Sequence, residues 1–276
     1  MYSGTTPSRT QRRSVSAETP TAAAALLIVI AGAESNLERL MRDLVHIHQT
    51  AELAERVLLP GDPGRALRLA QELLTEPRML NHNRGLWGYT GIAADGLPLS
   101  IQSTGMGGPS AAIVVSELIE LGAERLIRIG TCGGLSAEVE IGQLAVAAEA
   151  IADDGTSCAL GGHRRMAQVP ASESLTSALR TAEVGGGQRT AAVGAIVSSD
   201  LFYDAEDRID EWVRAGALAV EMETAAIFTL AGKRGVEAGC ALLVSNAVIG
   251  EPGYIQAEAL HAAELRLGEL AIAALS

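Results

Sequence analysis

Leu126-Ile127-Arg128-Ile129-Gly130-Thr131-Cys132-Gly133-Gly134-Leu135 is the stretch whose reading decides the fold. Leu126, Ile127 and Ile129 are apolar and mostly β-branched, and the run ends in a glycine turn. That is the pattern of a buried strand in an α/β sheet. Arg128 breaks it. A guanidinium inside an apolar strand needs a partner, because burying an unpaired charge is very costly. Two partners fit: an anion held at the strand's C-terminal end, where open α/β sheets place their ligands, or a carboxylate of the same chain.

Upstream, two more strands run into glycine-rich turns. Val57-Leu58-Leu59 leads into Pro60-Gly61-Asp62-Pro63-Gly64-Arg65, with a helix expected from Ala66 to Leu74. Backbone N–H groups at such a strand-to-helix turn form an anion cradle, and Arg65 adds a fork of donors; the same residues also suit an ordinary turn. Pro77 to Gly85 reads as a polar loop holding His82 and Arg84. Strands Leu86–Ala94 and Leu97–Thr104 are joined by Asp95-Gly96, a hairpin signal. Gly105-Met106-Gly107-Gly108-Pro109-Ser110 then opens a helix whose stripe is Val114, Leu118 and Leu121.

Downstream, Gly142–Ala150 reads as a strand, Asp154-Gly155-Thr156 as a turn, and Gly161–Pro170 as a solvated basic loop with His163, Arg164 and Arg165. A helix Glu173–Ala182, a break at Gly185–Gly187 and a strand Ala191–Val197 lead to Ser198-Ser199-Asp200-Leu201-Phe202-Tyr203. The two aromatics are either core or a face for a planar ring. Helix Glu206–Ala215, strand Ala217–Val220 and helix Thr224–Lys233 follow, the last with Ile227, Leu230 and Ala231 toward the core. At that strand–helix junction stand Glu221 and Glu223: one is expected to cap the helix, the other to accept from a ligand's hydroxyls. Strand Ala241–Ser245 ends in Asn246, and a helix bearing Leu260, Ala263, Leu267 and Leu270 closes the chain. This alternation predicts an α/β fold: a single-domain three-layer α/β/α sandwich with a mixed central sheet.

The chain has 276 residues, 48% hydrophobic, 20% charged and only 3% aromatic, with a formal net charge of −12. That balance disfavours nucleic acid and anionic membrane surfaces as partners, and few aromatics remain for stacking single strands. Cys132, Cys158 and Cys240 lie far apart, in no metal-ligand spacing, which points to a reducing, cytoplasmic setting. Residues 1–40 are expected to be an extension. Their apolar run Thr21–Ala33 is too short to span a bilayer; with Arg12-Arg13 upstream it reads as a weak export signal, or else as sequence ahead of an initiator at Met41. The folded domain is expected over 41–276.

Seven motifs in order resemble the nucleoside phosphorylase family, in particular its hexameric bacterial purine enzymes. They are Pro60–Arg65, Asn83–Gly91, Ser103–Ser110, Arg128–Gly133, Ser199–Tyr203, Val220–Glu223 and Val244-Ser245-Asn246. The resemblance implies that Gly61, Arg65, Arg128 and Thr131 bind phosphate, with Arg84 supplied by a neighbouring subunit. It implies Met222 and Glu223 at the ribose and His46 (or His48) of the neighbour at its 5′-hydroxyl. Cys132, Gly133, Phe202 and Val220 would surround the base, with Asn246 at its Hoogsteen edge; Asn246, Arg128 and Glu223 would be the catalytic set. Further implications are a homohexamer built as a trimer of dimers, phosphate as co-substrate, and no metal or organic cofactor. Many such enzymes carry aspartate where this chain has Asn246, and an assisting arginine where it has Ala259, so the resemblance implies 6-oxopurine nucleosides. Uridine enzymes of the family carry Gln-x-Arg after the Phe-Tyr pair; this chain has Glu206-Asp207-Arg208.

Overall fold

The structure, a computed structural model, describes residues 44–182 and 191–276. The expectations for residues 1–40 and for the Gly185–Gly187 break fall outside the described residues. The elements, in order, are β1 (Arg56–Pro60), α1 (Pro63–Leu73), β2 (Thr75–Asn81), β3 (Gly88–Ile92), β4 (Pro98–Gln102), α2 (Gly108–Glu120), β5 (Arg125–Gly134) and β6 (Leu144–Asp153). Then come α3 (Gly155–Gly161), β7 (Ala167–Pro170), α4 (Glu173–Thr181), β8 (Ala192–Ser199), α5 (Glu206–Arg214), β9 (Ala217–Glu221), α6 (Thr224–Arg234), β10 (Glu237–Ala247) and α7 (Ala257–Leu275).

The strands form one mixed sheet with helices on both faces, as the α/β alternation implies. Val57 and Leu59 join Val114, Val115 and Leu118 of α2 and Ile227 of α6 in one apolar cluster. Leu58, between them in sequence, points the other way, into a cluster with Leu69 of α1, Leu175 of α4 and Leu267 of α7. A strand buried on both faces reads as a continuous apolar run, not an alternating one.

β5 is the hub. It runs parallel to β1 from Arg125 to Ile129 and parallel to β10 over its whole length. At Gly133 and Gly134 it pairs instead with β9, antiparallel. β10, β6, β8 and β9 complete a closed ring with β5, while β1, β4, β3 and β2 extend from its other side. Between Ile129 and Gly133, then, β5 exchanges β1 for β9, and both neighbours peel away. Open α/β sheets place a crevice at such a switch point, which in β5 falls at Gly130, Thr131 and Cys132.

Four sequence expectations change. Thr75–Asn81 is not a polar loop but an edge strand, and only Asn83–Gly85 forms a turn of 3-10 helix. Glu76 has φ 52° and the register shifts past Pro77; Thr75 to Met79 are exposed in a row, without alternation, and only Leu80 and Asn81 are buried; proline is tolerated there because the edge needs no N–H. Ala167–Pro170 is likewise a strand, paired with β6. The Asp154 turn is a helix start, where its carboxylate accepts from Ser157 N at 2.7 Å. Helix α6 is buried on every side from Thr224 to Ala231, not along one stripe.

Candidate active site

Arg128 points into the crevice from β5. Its guanidinium folds over Gly130, where an added Cβ would lie 3.2 Å from Nη2, a tight contact. Nε donates to Glu221 Oε2 at 2.7 Å, and Nη2 is ion-paired with Glu223 Oε2. The carboxylate alternative for Arg128's partner is thus realised twice. Nη1, also buried, has no acceptor among the described residues. A buried charged N–H without an acceptor is rare, and it leaves the second alternative, an external anion, open on that side.

One of the two glutamates caps the helix, as expected, and it is Glu221. Glu221, at the end of β9, accepts from Glu223 N at 2.8 Å and from Thr224 N at 3.0 Å, and Ser198 Oγ donates to it. It is the cap of α6, although Glu223 occupies the terminal position itself. Burial disfavours its charge, but Arg128, the Ser198 hydroxyl and the two N–H groups outweigh it and hold its pKa below the usual carboxylate value. Glu223 turns the other way and accepts from Gly107 N, at the start of α2, at 2.5 Å. Burial, with Glu221 adding to it, pushes its pKa up against the pull of Arg128. Glu221 thus caps α6, while Glu223 bridges Arg128 and the start of α2.

The glycine turns meet beside this cluster. Thr104 N donates to Pro60 O at 2.9 Å, and a Cβ on Gly61 would sit 3.2 Å from Gly105 O. Asp62 caps α1 by accepting from Gly64 N and Arg65 N at 3.0 and 2.8 Å, so the helix starts at Pro63, earlier than expected. Arg65 lies one turn further in, and Thr131 is half-buried at the switch point.

At the far end of the crevice, Val220, Gly133 and Asn246 share one row across β9, β5 and β10. A bulge at Ser245 sets the direction of Asn246. Ser245 Oγ lies 3.0 Å from Asn246 Oδ1, and Nδ2 faces Gly133, 3.3 Å from the position of an added Cβ. Cys132 is buried beside Leu243 O, and burial raises its thiol pKa. Met222 is half-buried between Glu221 and Glu223.

Phe202, Arg84 and both histidine candidates, His46 and His48, are not gathered in. Phe202 and Tyr203 are 74% and 78% exposed and touch each other edge to face at 4.9 Å, so they are not core. Arg84, at φ 56°, is exposed and has no hydrogen bond or ion pair among the described residues. His46 is held by Glu117 of α2, which accepts from its Nδ1 at 2.7 Å and from its backbone N–H; His48 is exposed. The basic loop is solvated at Arg164 and Arg165, as expected, though Arg165 also pairs with Asp153 and Glu211, and Asp153 receives Trp212 Nε1 and Arg208. Glu117 and Glu264 were legible as charges falling on the apolar stripes of α2 and α7. Ser198 and Asp153 carried no such signal.

Among the described residues no three His, Cys, Asp or Glu side chains converge as a metal cage, and no helix is long and apolar enough to cross a membrane.

The model of the phosphorylase superfamily matches residues 55–275. This chain belongs to that superfamily. It is 41% identical over 209 residues to the DeoD-type purine nucleoside phosphorylase of Geobacillus kaustophilus, covering 74% of this chain and 86% of the relative. It is 38% identical over 202 residues to the guanosine phosphorylase of Halorubrum lacusprofundi, covering 73% and 82%. Among solved structures, uridine phosphorylase from Vibrio fischeri aligns with a TM-score of 0.73 at 29% identity, over 85% of this chain and 98% of that one.

Proposed function

We propose that the protein is a purine nucleoside phosphorylase, a pentosyltransferase that cleaves the N-glycosidic bond of a purine nucleoside with inorganic phosphate. The observation that carries this reading is Arg128, buried at the switch point, with two edges held by glutamates and Nη1 left for an anion. Arg65, Thr131 and the N–H groups at Gly61 join it around phosphate, the co-substrate. No metal or organic cofactor is invoked.

Glu223 accepts from the ribose 2′- and 3′-hydroxyls. To do so it exchanges part of its hold on Gly107 and Arg128 for the sugar. The phosphate sits beneath the anomeric carbon, where its charge stabilises the oxocarbenium ion as the glycosidic bond stretches, and then attacks. The base leaves as an anion against Val220, Gly133 and Cys132. Asn246 does not titrate; its Nδ2 donates to the 6-oxo oxygen, onto which the charge of the leaving anion spreads. Inosine, guanosine and their deoxy forms are the substrates this favours. Facing adenine, the same NH2 would meet an NH2.

A second reading, uridine phosphorolysis, draws on the Vibrio neighbour. Against it, the position of a uracil-binding glutamine is Glu206, and Arg208 is engaged by Asp153 at 3.1 Å. In a homohexamer built as a trimer of dimers, Arg84, exposed and unengaged among the described residues, and His46 complete the site of a neighbouring subunit. A panel of purine and pyrimidine nucleosides assayed with and without phosphate tests the reading. Base release from inosine or guanosine that requires phosphate is expected; equal release in phosphate-free buffer would make the protein a nucleosidase.

A further inference from the structure

Glu264 lies on the apolar stripe of α7 between Ala263 and Leu267, and is 4% exposed. A carboxylate there needs strong partners. It finds two on α1: Oε1 accepts from Arg65 Nε at 2.7 Å and Oε2 from Arg68 Nη2 at 2.9 Å. The helices meet closely enough because Gly268, one turn further along α7, has no side chain; an added Cβ would lie 2.5 Å from Leu73 Cδ1 and 3.3 Å from Leu69 Cδ2. Asp62, the other nearby acid, accepts from the backbone N–H of Arg65, not from its guanidinium.

We propose that Glu264 is the positioning residue of Arg65. By taking Nε it fixes one edge of the guanidinium, and neither Nη nitrogen then donates to any described residue. The fork is held with its other edge free for an anion before the anion arrives. A long side chain left unanchored would have to be ordered by the ligand, at the expense of affinity. Arg68 holds the second oxygen of Glu264, so the carboxylate does not swing away. The inference rests on the assignment of Arg65 to phosphate.

The test uses the full chain, the best-cleaved nucleoside of the panel at saturation, and varied phosphate. Glu264→Gln keeps the shape but loses the charge-assisted bond to Nε. Its KM for phosphate is expected to rise on the order of tenfold, while kcat and the nucleoside KM stay within about twofold of wild type. In an Arg65→Gln background the same substitution is expected to add almost nothing, since residues acting through one another are not additive. Should Glu264→Gln fail to fold, Gly268→Ala, which separates the two helices, is expected to raise the phosphate KM in the same selective way. An unchanged phosphate KM, an equal rise in nucleoside KM, or a full added effect without Arg65 would overturn the proposal. A wild-type protein that releases base equally without phosphate would instead refute the phosphorolysis reading beneath it.

Discussion

Arg128→Met removes the one cation between two buried carboxylates and keeps most of the volume. The side chains of Glu221 and Glu223 are 1% and 6% exposed, so neither can turn to water once the guanidinium is gone. Breaking a buried pair by deleting one partner costs about 3–5 kcal/mol, a large share of the roughly 5–15 kcal/mol that keeps a domain folded. The loss has a pH signature. For both glutamates burial is the largest influence and favours the protonated form, with Arg128 the main opponent. Without Arg128 both folded-state pKa values rise above the unfolded value. Stability from such groups is present at acidic pH and is lost as the pH climbs through the folded-state values. Urea unfolding should therefore show a deficit against wild type that is greatest near about pH 8 and shrinks toward about pH 5. Adding Glu221→Gln and Glu223→Gln to Arg128→Met should recover most of the midpoint. A single variant as stable as wild type, or a deficit indifferent to pH, would refute the account of this cluster.

Three further outcomes are expected. Asn246→Asp should raise adenosine cleavage relative to inosine by about 10–100-fold, the worth of relieving one unmatched buried polar contact. The gain should be greatest at mildly acidic pH; a wild-type protein already indifferent between the two nucleosides would count against it. Gly133→Ala places a Cβ 2.5 Å from Val248 Cγ2 and 3.3 Å from Asn246 Nδ2. It should cost about 1–3 kcal/mol in unfolding measurements and raise the nucleoside KM while sparing that for phosphate. Arg84→Ala and Glu223→Gln proteins, each inactive, should regain activity when their subunits are mixed and exchanged, and a fully active monomer by light scattering would exclude the shared site.

Much of this was legible because the sequence marks its anomalies. Arg128 stood out in an apolar strand, and the three glycine-rich strand ends located the crevice before any contact was known. Apart from α3, expected only as a turn, the helices and central strands fall within a few residues of expectation, since their apolar spacing is dictated by burial. What failed did so for physical reasons. β2 and β7 lie at the margins of the sheet, where exposed residues need not alternate, so both were read as loops. The division of labour between Glu221 and Glu223 depends on which carboxylate meets Thr224 N and which meets Gly107 N, contacts between segments more than a hundred residues apart in the second case. Phe202 was placed at the base by resemblance, and within the single chain it stays in an exposed loop.

The closed ring of strands also constrains how the chain can be born. β5 cannot bury Arg128 until Glu221 exists, 93 residues later, and its long flank stays bare until β10 follows. At about 5–20 residues per second of synthesis, that is a wait of roughly 5–20 s. During it an apolar strand carrying an uncompensated cation remains on the nascent chain. The ring therefore closes late: β9 brings Glu221 and Glu223 to Arg128, and β10 then covers the remaining flank of β5.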